Sequence, residues 1–166
     1  MGLEILIDYN YSNSALTSPT TPYLRRPMII LKNKLIIKRS TLPGAGKGLF
    51  TKNYIAKGNA IVEYKGTITT WKDVDHTEGE NGYIYYVKRN YVIDARPHPL
   101  SLARYANDAR GLKKVKGILN NAEYKEIGLK VFIVAKKDIA AGSEIFVDYG
   151  KEYWDTIRYN IKLEQA

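Results

Sequence analysis

The run Glu144-Ile145-Phe146-Val147-Asp148-Tyr149-Gly150 ends an apolar, strand-like stretch on a tyrosine followed at once by glycine. Tyrosine joins an apolar ring to a polar tip, which suits a pocket that is both dry and hydrogen-bonded. A second run, Leu42-Pro43-Gly44-Ala45-Gly46-Lys47-Gly48-Leu49-Phe50, is rich in glycine, so main-chain groups there can approach a ligand closely. It is not a P-loop, because Gly48 and not Ser or Thr follows Lys47, and not a dinucleotide fingerprint, because Leu49 holds the third glycine position. A third, Leu102-Ala103-Arg104-Tyr105-Ala106-Asn107-Asp108-Ala109, follows the apolar stretch Tyr91-Val92-Ile93-Asp94. Asn107 offers both a donor and an acceptor and could hold the polar end of an amino-acid-like ligand. Each run also has a plainer reading: an edge strand with a packed tyrosine, a hairpin turn, and an Asx turn ending a short helix.

The elements that must position these residues read as short strands between glycine turns. Leu35 to Lys38, Gly48 to Thr51, Ala60 to Tyr64, Leu129 to Ala135 and Ser143 to Asp148 are strand candidates. Tyr83 to Lys88 and Tyr91 to Asp94 form an expected hairpin with Lys88-Arg89-Asn90 at its tip, and Leu100 to Tyr105 one or two helical turns. No long amphipathic helices alternate with the strands, so a doubly wound nucleotide fold is disfavoured. Residues 1–33 differ: Asn10 to Thr21 is rich in Asn, Ser, Thr and Pro, the composition of an arm, with Ile5 to Tyr9 a possible short strand.

Composition narrows the classes. The 166 residues are the size of one compact domain. The absence of cysteine removes disulfides, thiol nucleophiles and Cys-ligated zinc, and two histidines, His76 and His98, cannot build a metal site alone. No transmembrane helix, signal peptide or myristoylation site is expected. The formal charge of +9 could serve nucleic acid or an anionic surface, or be a solvated basic face.

In order along the chain come the glycine turn, Glu63-Tyr64-Lys65-Gly66, Ile93-Asp94-Ala95, Arg104-x-x-Asn107, Asn121-Ala122-Glu123 and Val147-Asp148-Tyr149-Gly150. From Lys34 to Trp154 this order and spacing resemble the SET-domain protein lysine methyltransferases. The resemblance implies a mostly β fold with short helices, the SET β-clip with pseudoknot-like C-terminal threading. It implies residues 34–150 as the SET domain, 1–33 as an arm and 151–166 as a post-SET-like segment. It implies transfer of a methyl group from S-adenosylmethionine to a lysine of a basic, histone-like peptide, with a non-catalytic SET-like binding module as the alternative.

Carried over by residue, the resemblance implies Tyr149 and Tyr64 as catalytic residues. Ala45, Gly46, Lys47, Gly48, Tyr83, Asn107, Asp108 and Trp154 would face the cofactor, with Gly48 permitting the turn. Tyr64, Tyr105 and Val147 would line the lysine channel, and Val147, small where the family has Tyr or Phe, would leave room for methylation beyond the first. No metal is implied. The chain departs from the family at Asp108, where His is usual, and in the basic insert Arg110 to Leu119. Glu63, Asp73, Asp75, Glu78 and Glu80 could form an acidic wall for a basic peptide. The insert and Arg25-Arg26 could meet nucleosomal DNA. The protein would then be intracellular, and nuclear if its substrate is chromatin.

Overall fold

A computed structural model of the protein describes residues 32–75 and 81–165. The arm expected at residues 1–33 lies almost wholly outside them, as do Ile5 to Tyr9, Arg25-Arg26, Glu78 and Glu80. Among the described residues the chain forms eight short strands in three small antiparallel sheets and one C-terminal helix. β1 (Leu35–Arg39) pairs with β2 (Lys47–Thr51). β3 (Ala60–Glu63), β7 (Ala122–Ile127) and β8 (Lys130–Ala135) form a sheet in the order β3-β8-β7. β4 (Thr67–Thr69), β5 (Ile84–Lys88) and β6 (Tyr91–Asp94) form another in the order β4-β6-β5.

The central strand shows why the sequence folds this way. Val131 to Ala135 are all buried, and an unbroken apolar run is what a strand covered on both faces requires. Gly128, at φ 61°, takes the first place of the two-residue β7–β8 loop. That left-handed conformation is where hairpins favour glycine. Leu49, Ile55, Ile61, Ile133, Ile145 and Val147 meet in the main core, with none of them more than 1% exposed.

The segment Ser143 to Asp148 departs from the strand expected there. It is instead a threaded connector that bridges only at Glu144 and Phe146. On one side Ile145 N donates to Leu49 O (2.7 Å) and Thr51 N to Ser143 O (3.0 Å). Val147 N, on that same side, donates to Asn107 O (2.9 Å), while on the opposite side Phe146 O accepts from both Asn121 N and Ala122 N. The buried Asn121 amide clasps the same segment, donating to Glu144 O (2.7 Å) and accepting from Phe146 N (2.9 Å). This passage between the 107 and 121 segments is the pseudoknot-like threading.

The helical turn before Asn107 is a 3-10 turn, Leu102–Tyr105. Ser101 precedes it, but its hydroxyl donates to Lys65 O (2.7 Å) rather than capping the turn. After Gly150 (φ 88°) the post-domain segment becomes α1, Lys151–Glu164. Its half-buried positions Tyr153, Trp154, Ile157 and Ile161 recur at helical spacing, and no Gly or Pro interrupts them. Among the described residues no helix is long and apolar enough to cross a membrane, and no group of side chains could hold a metal ion.

Candidate active site

Tyr149 stands where the threaded segment meets α1. Its hydroxyl donates to Ala106 O (2.8 Å) and its main-chain N–H to Asp108 Oδ2 (2.9 Å). Its ring stacks on Trp154 (centroids 5.8 Å apart, 16° between planes) and meets the edge of Tyr153 at 4.9 Å. Burial, reinforced by the neighbouring Tyr153, pushes its pKa far above the ordinary phenol value, so the hydroxyl stays protonated.

Asp108 is buried and accepts four hydrogen bonds. Oδ2 takes Trp154 Nε1 (2.8 Å) as well as Tyr149 N, while Oδ1 takes Arg110 N (2.8 Å) and Asn120 Nδ2 (2.9 Å). Burial alone would raise its pKa; hydrogen bonds from Trp154, Tyr149, Arg110 and Asn120 outweigh that and hold it below the usual carboxylate value. The residue that departs from the family is therefore fully used.

The glycine turn is tied to Asn107 through Glu144. Asn107 Nδ2 donates to Lys47 O (3.0 Å) and Glu144 Oε1 (3.1 Å). With both N–H bonds committed, what Asn107 offers a ligand is its carbonyl oxygen. The buried Glu144 carboxylate also accepts from Ser40 Oγ (2.7 Å), Thr41 N (2.7 Å) and Thr41 Oγ1 (2.6 Å). Gly44 and Gly46 have positive φ and shape the turn, whereas Gly48 does not. Gly48 is needed for a different reason: a Cβ there would lie 2.1 Å from Glu144 Oε1.

Beside Tyr149 opens a cleft of about 830 Å³ whose lining includes Tyr64, Tyr85, Tyr124, Tyr149, Tyr153 and Arg104. The Tyr64 hydroxyl donates to Tyr83 O (2.9 Å), and burial raises its pKa well above the ordinary phenol value although the Arg104 charge opposes the shift. Tyr64, Tyr85 and Tyr124 pack with centroids 5.1 to 5.9 Å apart. Burial, with the Glu126 carboxylate beside it, pushes Tyr85 up to about 12. The Arg104 guanidinium lies over the Tyr83 ring at 3.9 Å and donates from Nη1 to Arg96 O (2.9 Å). Its Nε is buried and has no hydrogen-bond partner among the described residues. An unmatched buried donor on a cation is costly, and an anionic ligand group would satisfy it.

The structure thus gathers the expected residues unequally. Tyr149, Asp108 and Trp154 form one linked set, Lys47, Gly48 and Asn107 a second, Tyr64, Tyr83 and Arg104 a third. Ala45 packs against the cluster of Leu42, Ala109 and Phe146. Two residues expected in the lysine channel, Val147 and Tyr105, are not among those lining this cleft. Val147 is fully buried in the core, and Tyr105 points its hydroxyl to Pro99 O (2.9 Å) with Lys47 Nζ over its ring at 6.0 Å. Tyr85 and Tyr124 stand in the cleft instead. Arg104, Glu144, Tyr85 and Tyr124 were not anticipated as site residues; only the three-residue spacing of Arg104 to Asn107 on one turn hinted at any of them. The described part of the acidic wall is engaged locally: Glu63 pairs with Lys65 (3.1 Å), Asp75 with Arg96 (3.2 Å), and Asp73 accepts from Thr70 (2.6 Å).

Residues 46–150 match the family described as the SET domain. The chain is similar to histone-lysine N-methyltransferase EZ1 of Zea mays, 28% identical over 137 residues, covering 77% of this chain and 14% of that protein. It is similar to N-lysine methyltransferase KMT5A-A of Xenopus laevis, 27% identical over 127 residues, covering 69% of this chain and 36% of that protein. Histone-lysine N-methyltransferase Set8 of Drosophila pseudoobscura pseudoobscura is 30% identical over 121 residues, 64% of this chain and 16% of that protein. The chain therefore spans between about a seventh and just over a third of the length of these relatives. This chain belongs to the SET-domain family.

Proposed function

We propose that the protein transfers a methyl group from S-adenosylmethionine to the ε-amine of a lysine in a basic protein segment. The observation that carries this reading is the Tyr149 hydroxyl, protonated and fixed on Ala106 O at the wall of a tyrosine-lined cleft. When bound, S-adenosylmethionine supplies an electrophilic methyl on a positive sulfonium. The chain's own residues fit its polar end: Arg104 Nε lacks a partner, as a carboxylate would provide, and Asn107 presents an acceptor, as an ammonium requires. The backbone of Ala45 to Gly48, Tyr83, the Asp108 main chain and Trp154 complete the cofactor side of this reading.

A lysine amine, with an ordinary pKa of about 10.4, must lose its proton before it attacks. The tyrosine rings lining the cleft and the Arg104 charge beside them disfavour the ammonium form. Tyr64 and Tyr149 are too weakly acidic to serve as bases at neutral pH, so they orient rather than deprotonate. Orientation of this kind can contribute on the order of 7 kcal/mol. Exposed Glu123 and Glu152 on the cleft lining suit a basic peptide such as a histone tail. With Val147 buried in the core and Tyr124 lining the cleft, Tyr124 in this reading controls the room left for a second methyl. A nuclear location follows if the substrate is chromatin, where the exposed Lys113, Lys114 and Lys116 of the insert would contact DNA.

Incubation with labelled S-adenosylmethionine and core histones tests the reading. Label transferred to histone supports it, and Tyr149→Phe should remove most of the transfer while leaving the fold and cofactor binding in place. Cofactor binding with no transfer by the unmodified protein would instead favour the binding module.

A further inference from the structure

Helix α1 forms one wall of the cleft through Glu152, Tyr153, Thr156 and Ile157. Its attachment is narrow. Trp154 is wedged against Gly111, where a Cβ would lie 2.8 Å from the indole ring, and stacks on Tyr149. The Tyr153 hydroxyl reaches the other bank, 3.1 Å from where a Cβ on Gly82 would lie. A polar anchor joins the helix to the interior at Asp108, which accepts from Trp154 Nε1.

We infer that Asp108 is a positioning residue whose carboxylate latches α1 across the cleft and, in the same grip, fixes the main chain of Tyr149. The chemistry of the four bonds is specific. All four partners of the carboxylate are donors, two on each oxygen. An amide of the same shape must turn its own N–H groups toward two of those donors, so it cannot take over the role. The insert is part of the same device, because Arg110 N binds Oδ1 and the Arg110 guanidinium pairs with Asp148, one residue before Tyr149. Asp108 in place of the family's His therefore moves the job of this position from an imidazole to an anion that grips a tryptophan.

Insofar as it concerns the cofactor, this inference rests on the methyltransferase reading, and one experiment separates the two. Hydrogen exchange by mass spectrometry is measured on the full chain for the unmodified protein, Asp108→Asn, Trp154→Phe and the double variant. Binding of S-adenosylmethionine and its KM are measured in parallel. The latch predicts faster exchange across α1 and residues 148–150 in Asp108→Asn, about tenfold or more for loss of charge-assisted bonds, with β7 and β8 unchanged. Trp154→Phe, which keeps the other three bonds, should loosen α1 alone, and the double variant should show less than the sum of the two. The KM for S-adenosylmethionine should rise about tenfold in Asp108→Asn, the scale of one such bond. Unchanged exchange in α1, acceleration spread over the whole chain, or strict additivity would overturn the latch. If the exchange pattern holds but the unmodified protein binds no S-adenosylmethionine, the latch stands and the methyltransferase reading falls.

Discussion

At the scale of single residues, the tightest coupling in the site joins Glu144 to Gly48. The carboxylate fills the space that a side chain on Gly48 would need. Gly48→Ala should therefore lower stability by about 1–3 kcal/mol, the usual cost of overpacking. Chemical denaturation should show that penalty shrinking in a Glu144→Ala background, since the clash partner is then gone. Ionisation sets a second expectation. Burial keeps the Tyr64 and Tyr149 phenols protonated far above neutral pH, so methyl transfer should climb with pH as the substrate lysine loses its proton. A descending limb below about pH 10 that Tyr64→Phe abolishes would show that a phenol ionises where this account keeps it neutral. Tyr149 and Asn107 were legible because their order along the chain matches a family. Glu144 was hidden because its partners Ser40, Thr41 and Asn107 are distant in sequence, and spacing alone does not say that Val147 is buried in the core.

Among the elements, β8 holds the largest share of the core. Phe132 is among the largest fully buried side chains and packs with Ala60 and Val134. Phe132→Ala should cost about 3–5 kcal/mol, readable as a lower denaturant midpoint. The insert 110–119 is anchored by Val115 and Ile118 against Leu42, Ala109 and Phe146, while Lys113, Lys114 and Lys116 point outward. Replacing those three lysines with glutamate should weaken duplex DNA binding and flatten its salt dependence, with histone-peptide methylation unchanged; an unaltered salt slope would remove DNA as the partner. The strands of the core were readable from their apolar, β-branched runs. β4 was not, since Thr67-Ile68-Thr69 is three residues held only by β6. The helix is hard to read although Tyr153, Trp154, Ile157 and Ile161 carry its period, because Gly150 before it supplies no side-chain cap.

For the whole molecule, the concentration of tyrosine has a thermodynamic consequence. Tyr64, Tyr85, Tyr124 and Tyr149 all have pKa values raised by burial. A group whose folded pKa lies above its unfolded one stabilises the fold fully below the unfolded value and loses that contribution as pH rises through the folded one. Thermal stability should therefore fall steadily above about pH 10, the ordinary phenol value, and a Tyr124→Phe variant should show a shallower fall. The threaded connector has a consequence in time. Residues 143–147 can be gripped only after β2, the Asn107 segment and the Asn121 clasp already exist, and all three precede them in the chain. Contacts so distant in sequence close late and slowly. The protein should thus acquire its sheets before Tyr149 is fixed in place.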